Sequence, residues 1–220
     1  MYLLTQALIT VVLAGNLLSC VRPQESAEAR FWRWFVKDEA RLFDFEKDQE
    51  RIFNELQTEM HRVNPDLTFE FGPKTDGKRE FVISADGISA SFPAVIALAD
   101  AAPSLPRWKV TKFRPRRGFQ SRVRLNGVQV GPEQVQFTIE PDGPKAGITL
   151  FLEGYDPKDR EKYMGVLFLL LDESLGEYDV ETKMGFIEVK ASSTPSKLVK
   201  HPFSTLTEVF DQFFRKNGQK

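Results

Sequence analysis

Eight cations fall between Arg107 and Arg124: Arg107, Lys109, Lys112, Arg114, Arg116, Arg117, Arg122 and Arg124, with no acid among these 18 positions. The whole 220-residue chain carries a net charge of −1, so this run of +8 leaves −9 on the remainder. A guanidinium is a planar fork of N–H donors that matches phosphate and carboxylate oxygens. Arg114, Arg116 and Arg117, with Pro115 and Gly118 shaping the chain around them, are therefore the candidate site for an anionic ligand or an acidic protein partner. Phe113 and Phe119 could stack on bases, but aromatics interleaved with cations are common in strands, and the near-neutral total gives no reason to expect nucleic acid. The competing reading is structural. The cations blunt a strand edge, or they pair with the chain's own acids.

Two acidic runs could answer them. Asp172, Glu173, Glu177, Asp179 and Glu181 lie within DESLGEYDVE, and Asp38–Glu50 holds six acids against two bases. Neither has the alternating D-x-D-x-D-G spacing that a calcium loop needs. Acids at the C-terminal end of a helix oppose its dipole, which makes a contact between the 172–181 run and the arginine loop plausible. Other chemistry is sparse. Two histidines, His61 and His201, and one cysteine leave little for a zinc centre or a His-based active site. No nucleophile elbow, zinc-protease helix, P-loop or dinucleotide fingerprint occurs. The residues thus point to a binding domain without metal or cofactor, with a hydrolase using surface carboxylates as the weakest alternative.

The single cysteine, Cys20, closes a leader of distinctive composition. Residues 1–21 contain no charged side chain, and Ala7–Leu18 is apolar except for Thr10, Gly15 and Asn16, the length of a signal-peptide apolar region. It ends in Leu17-Leu18-Ser19-Cys20, which resembles the lipobox of bacterial lipoproteins. That resemblance implies a signal peptide over 1–19, diacylation of the Cys20 thiol, a polar tether over 20–29 and a protein held at a membrane of the cell envelope. The sequence departs from the pattern in two ways: no Lys or Arg precedes the apolar region, and Leu18 is bulkier than the usual small residue. An uncleaved anchor, an ordinary secretory peptide, or a cytoplasmic interaction or immunity-like domain with a non-native upstream start are the alternatives. Two or three acyl chains hold a protein stably where one does so only marginally, so a lipidated Cys20 is a firm tether.

The elements that must position these residues show in the hydrophobic periods. Phe31, Trp34, Phe35, Leu42 and Phe45 have helical spacing, and Ile52, Leu56, Met60 and Val63 form a second stripe ended by Asn64-Pro65. The cluster Phe31-Trp32-Arg33-Trp34-Phe35 either docks on the core or forms an aromatic belt at a lipid surface; Phe31 and Phe35 already belong to the core stripe. From Leu67, Phe69 and Phe71 the period becomes two. The order is then strand, turn at Thr75-Asp76-Gly77, strand 80–84, a helix opened by Pro93, and strand 108–113. Trp108 and Val110 share a face while Phe113 has the opposite parity, which predicts a break near Thr111 or Lys112. After a hairpin at Asn126-Gly127 the order returns: strand 135–140, strand 148–152, a helix capped by Asp156 with Pro157 at its first position, and strand 186–190. The run Met164–Leu171 reads as a buried helix centre.

The expectation is a single α+β domain over 30–220 in which an N-terminal helical pair precedes ββαβ pseudo-repeats at 67–114 and 135–190. It would be a ferredoxin-like or related sheet with helices on one face. The Phe31-Trp32-x-Trp34-Phe35 start and Phe92-Pro93-Ala94-Val95 are similar to stretches of an uncharacterised bacterial protein family, a resemblance over most of 31–200 that implies no activity.

Overall fold

Serine before an amphipathic run starts the first helix: the Ser26 side chain accepts from the Ala29 N–H and caps α1 (Ala27–Phe43). The computed structural model describes residues 25–118, 122–125 and 127–216; Cys20 and the rest of the leader lie outside them. Helix α2 (Gln49–His61) follows a short 3-10 turn and buries Ile52, Leu56 and Met60, the i, i+4, i+8 stripe. Strand β1 (Thr68–Phe71) pairs antiparallel with β2 (Arg79–Ser84), and helix α3 (Phe92–Asp100) crosses to β3 (Trp108–Lys112), which runs parallel to β2. A hairpin of β4 (Val123–Leu125) and β5 (Val128–Val130) leads to β6 (Val135–Asp142) and β7 (Lys145–Leu152), again an antiparallel pair. Helices α4 (Arg160–Leu175) and α5 (Glu177–Lys183) then cross to β8 (Met184–Ala191), parallel to β7. The chain closes with the short β9 (His201–Pro202) beside β6 and helix α6 (Leu206–Lys216).

The protein is α+β, and the ββαβ order occurs twice with the same strand directions. The two units do not merge into one sheet. They keep separate sheets of order β1-β2-β3 and β8-β7-β6-β9, with β4-β5 as a third, two-stranded sheet. Each of the two ββαβ units has its own hydrophobic cluster, and β4-β5 packs on the second. The first gathers Phe31, Trp32, Phe35, Leu56, Met60, Phe81, Ile83, Val95 and Trp108; the second gathers Phe137, Ile148, Leu150, Val166, Leu167, Leu170, Leu171 and Phe210. Phe31, Trp32 and Phe35 are buried, so the aromatic start of α1 faces the core, and the Trp32 indole N–H donates to the Leu98 carbonyl of α3 at 2.7 Å. Phe35 stacks on Phe81 with centroids 5.2 Å apart. Much of the phenylalanine excess, 19 of 220 residues, is spent here, where rings fill the space between helices and sheet.

Two local expectations change. The apolar run of α4 buries Val166, Leu167, Leu170 and Leu171 but leaves Phe168 42 % exposed, because a helix of this width presents one side outward however apolar it is. The parity break at the end of β3 is a left-handed residue: Phe113 has φ 61° and is buried, its ring 4.5 Å from Phe92 and 5.2 Å from Tyr178. Positive φ at a bulky residue costs about 1–3 kcal/mol, held here by the ring contacts and by the Phe113 N–H on the Ile83 carbonyl at 2.8 Å. This turn sends the following five residues, 114–118, across to the second unit.

Candidate functional site

The arginine loop lies at the junction of the two units, and its guanidinium groups meet the protein's own carboxylates. Arg114 Nε donates to Glu70 at 2.6 Å, its Nη2 donates to Asp86, and its Nη1 lies 3.7 Å from Asp172. Arg116 Nε donates to the Leu175 carbonyl at 2.8 Å, Nη1 to Asp211 at 2.9 Å and Nη2 to Asp179 at 2.5 Å. Arg117 is more open; it reaches Glu80 at 3.3 Å and Glu70 at 3.7 Å, while its N–H donates to the Glu173 carbonyl at 2.9 Å. Glu70 comes from the first unit and Asp172, Glu173 and Asp179 from the second, so the loop is a clasp. From the 172–181 run Asp172 and Asp179 meet the arginine side chains and Glu177 meets the loop's main chain, while Glu70, Glu80, Asp86 and Asp211 come from elsewhere.

At its centre is Glu177, with 0 % exposure. Oε1 accepts from the Ala85 N–H at 3.0 Å and the Gly87 N–H at 3.1 Å, Oε2 accepts from the Arg114 N–H at 3.0 Å, and the Glu177 N–H donates to the Arg114 carbonyl at 3.0 Å. Gly176 makes the approach feasible. Its φ of 81° breaks α4 from α5, and a Cβ there would lie 3.3 Å from the Arg114 carbonyl oxygen. Burial pushes Asp172 up to about 7; Arg114 pulls it down, and Glu177, Asp86 and Glu70 push it further up. Burial also raises Glu173. Burial alone would raise Glu80, but the Thr111 hydroxyl and Lys109 outweigh it and hold that carboxyl below its ordinary value.

A second arrangement has the shape of a binding site. Strand β1 is an outer strand whose paired neighbour is β2, and α2 runs beside it. Between them opens a groove of about 710 Å³ walled by Phe45, Phe53, Phe69 and Phe71, all half-buried. The rings brace one another: Phe45–Phe53 centroids are 4.8 Å apart, Phe53–Phe69 5.1 Å and Phe45–Phe71 5.6 Å. Arg79, itself buried, lies 4.4 Å from the Phe45 ring and donates to Glu46 at 2.5 Å, so the wall is fixed from behind. Gln57 reaches the rim by donating to the Leu67 carbonyl at 2.6 Å. Thr68 and Glu70 from the other face of β1 also line the groove, which therefore follows the strand edge that, among the described residues, pairs with no strand. Volume, aromatic walls and a few polar groups are what an apolar ligand or an extended segment requires.

The sequence pattern puts Phe45 in a helical stripe and Phe69 and Phe71 in an alternating strand; it leaves Phe53 unmarked and does not single out the groove. The available signal was weak: four rings of alternating or helical spacing look the same whether a neighbour covers them or not. His61 sits at the end of α2 with its Nε2 2.6 Å from Gln57 Nε2, and His201 lies beside Phe137, so the two histidines are on different units. Among the described residues no group of His, Cys, Asp and Glu could hold a metal ion, and no helix is long and apolar enough to cross a membrane. Compared with known protein families, curated proteins and solved structures, the chain matches none.

Proposed function

We propose that this chain is a membrane-tethered protein of the bacterial cell envelope whose folded body binds an extended, apolar segment of a partner. The observation that carries the binding half is the groove itself, four braced phenylalanines along the open edge of β1. Strand edges offer unpaired N–H and C=O groups, and an added strand that uses them sends alternate side chains to one face. The two acids of the lining, Glu46 and Glu70, are already held by Arg79 and Arg114, so the rings and the strand edge carry the recognition. The tether rests on Cys20, the only cysteine, at the end of an uncharged leader. From Cys20 to the Ser26 cap the chain spans at most about 20 Å, so an acylated Cys20 would keep α1 close to the bilayer surface.

A labelled peptide alternating Val or Phe with Thr, with Lys at each end, tests the groove by fluorescence polarisation against full-length protein carrying Cys20→Ser. Saturable binding is expected, weakened about tenfold or more by Phe53→Ser, since one buried ring contributes about 1.5–3 kcal/mol. Equal binding of a scrambled peptide with its apolar residues in one block, or unchanged binding by a folded Phe53→Ser protein, overturns the reading. For the tether, acyl labelling followed by intact mass should give a modified chain starting at Cys20. A chain that retains Met1 with a free thiol removes this part of the proposal.

A further inference from the structure

Strand β8 is eight residues long and outermost in its sheet, hydrogen-bonded to β7 on one side. Among the described residues no strand pairs with its other edge. Edges of this length are normally shortened, covered or charged, because they template further pairing. After the irregularity between Ala146 and Ile148, Ile187 and Val189 point to the helix-covered face and Phe186, Glu188 and Lys190 to the other. The Phe186 ring packs against Gly147, where a Cβ would come within 2.1 Å of it. Ile187 and Val189 are only half-buried, whereas their β7 partners Ile148 and Leu150 are fully covered. Beside this edge runs a groove of about 380 Å³ in which Met164, Phe168, Met184 and Ile187 share the lining with Arg160 and Glu181.

We propose that β8 is a self-association edge, pairing antiparallel with β8 of a second copy about a two-fold axis at Val189. Independently of the β1 groove, register selects this pairing. A two-fold normal to the sheet keeps apolar faces together only if opposed residues share parity. Among the neighbouring registers of that kind, centring on Glu188 opposes two carboxylates, and centring on Lys190 opposes two ammonium groups. Centring on Val189 sets each Glu188 against Lys190 of the second copy, twice over by symmetry. Glu188 and Lys190 already lie 2.8 Å apart within one chain, so the seam alternates in charge. Ile187 then faces Ala191 of the second copy. The two Phe168 grooves line the seam on one side, which accounts for a large ring left exposed at this position. The product is one eight-stranded sheet with an isologous interface.

Sedimentation in detergent of full-length protein carrying Cys20→Ser tests this. A reversible dimer is expected. Glu188→Lys and Lys190→Glu should each weaken it about tenfold or more, and the double reversal should restore it, because the swapped charges pair again. Val189→Cys in the same background should form a symmetric disulfide on mild oxidation, since residues opposed on antiparallel strands lie within disulfide reach. A monomeric parent protein, a double reversal no tighter than the single changes, or a Val189→Cys protein that does not cross-link overturns the proposal. These side chains are on the surface, so a loss of dimer with an unchanged melting temperature is the supporting pattern.

Discussion

Replacing Glu177 with alanine is expected to lower the melting temperature by roughly 10 °C. The carboxyl group accepts from three main-chain N–H groups, those of Ala85, Gly87 and Arg114, and it is wholly shielded from water. Each buried donor left without an acceptor costs about 1–3 kcal/mol, and the Arg114 loop loses an anchor, for a total of about 4 kcal/mol. Glu177→Gln should cost about half as much, because one oxygen can still serve Ala85 and Gly87 while the amide nitrogen meets the Arg114 N–H. Replacing Arg114, Arg116 and Arg117 together by alanine should also lower the melting temperature markedly, since it leaves the partly buried Asp172 without its cation and removes the Arg116 bonds to the Leu175 carbonyl and Asp211. Thermal melts of the three variants check this. A Glu177→Ala protein that melts within about 2 °C of the parent would mean that the clasp does not hold the two units.

The second large effect depends on pH. In the folded protein Asp172 is held at about 7, against 3.8 for an unburied carboxyl. A raised pKa means that between about pH 4 and 7 the folded state binds a proton that the unfolded state does not, so this group's contribution falls as pH rises. The full cost, about 4 kcal/mol, is present above pH 7 and absent below pH 4. Glu173 acts in the same direction. Glu28, Asp44, Glu46 and Glu80 have lowered values and act with the opposite sign, losing their contribution only as pH falls below the ordinary carboxylate range. Asp172→Asn, a neutral replacement of the same shape, should therefore raise the melting temperature at pH 8, change it little at pH 4, and flatten the slope between. Parallel stability curves for the two proteins from pH 5 to 8 would show that Asp172 does not titrate there.

Much of the architecture was legible because it follows from period and punctuation. The switch from helical spacing at Met60 to alternation at Phe69, and the turn residues Asp76 and Gly77 at positive φ, set the order of the elements. So did the return of ββαβ after residue 135, and the parity of Phe113 marked the end of β3. Charge runs announced the clasp, but only as opposite signs; that Glu177 would be wholly buried depends on the Gly176 break and on loop 113–118 crossing between units, which no local pattern encodes. The exposure of Phe168 was illegible for a different reason: in an all-apolar run, nothing in the sequence marks the outward side. Helix α6 was readable in principle, with Leu206, Phe210 and Phe214 at i, i+4 and i+8, yet it lies beyond the repeated unit on which the reading rested. The groove was least legible of all. Its walls come from the turn after α1, from α2 and from β1, and only their spacing in three dimensions separates a packed ring from a binding wall.

Amide hydrogen exchange with and without the alternating peptide reads whether β1 gains a strand. An added strand must bond to the open edge of β1, so exchange across Thr68–Phe71 should slow when peptide binds, while the β3 amides at the far edge of the sheet stay as they were. Binding without protection at Thr68–Phe71, or protection confined to residues remote from the Phe45–Phe71 groove, would contradict it.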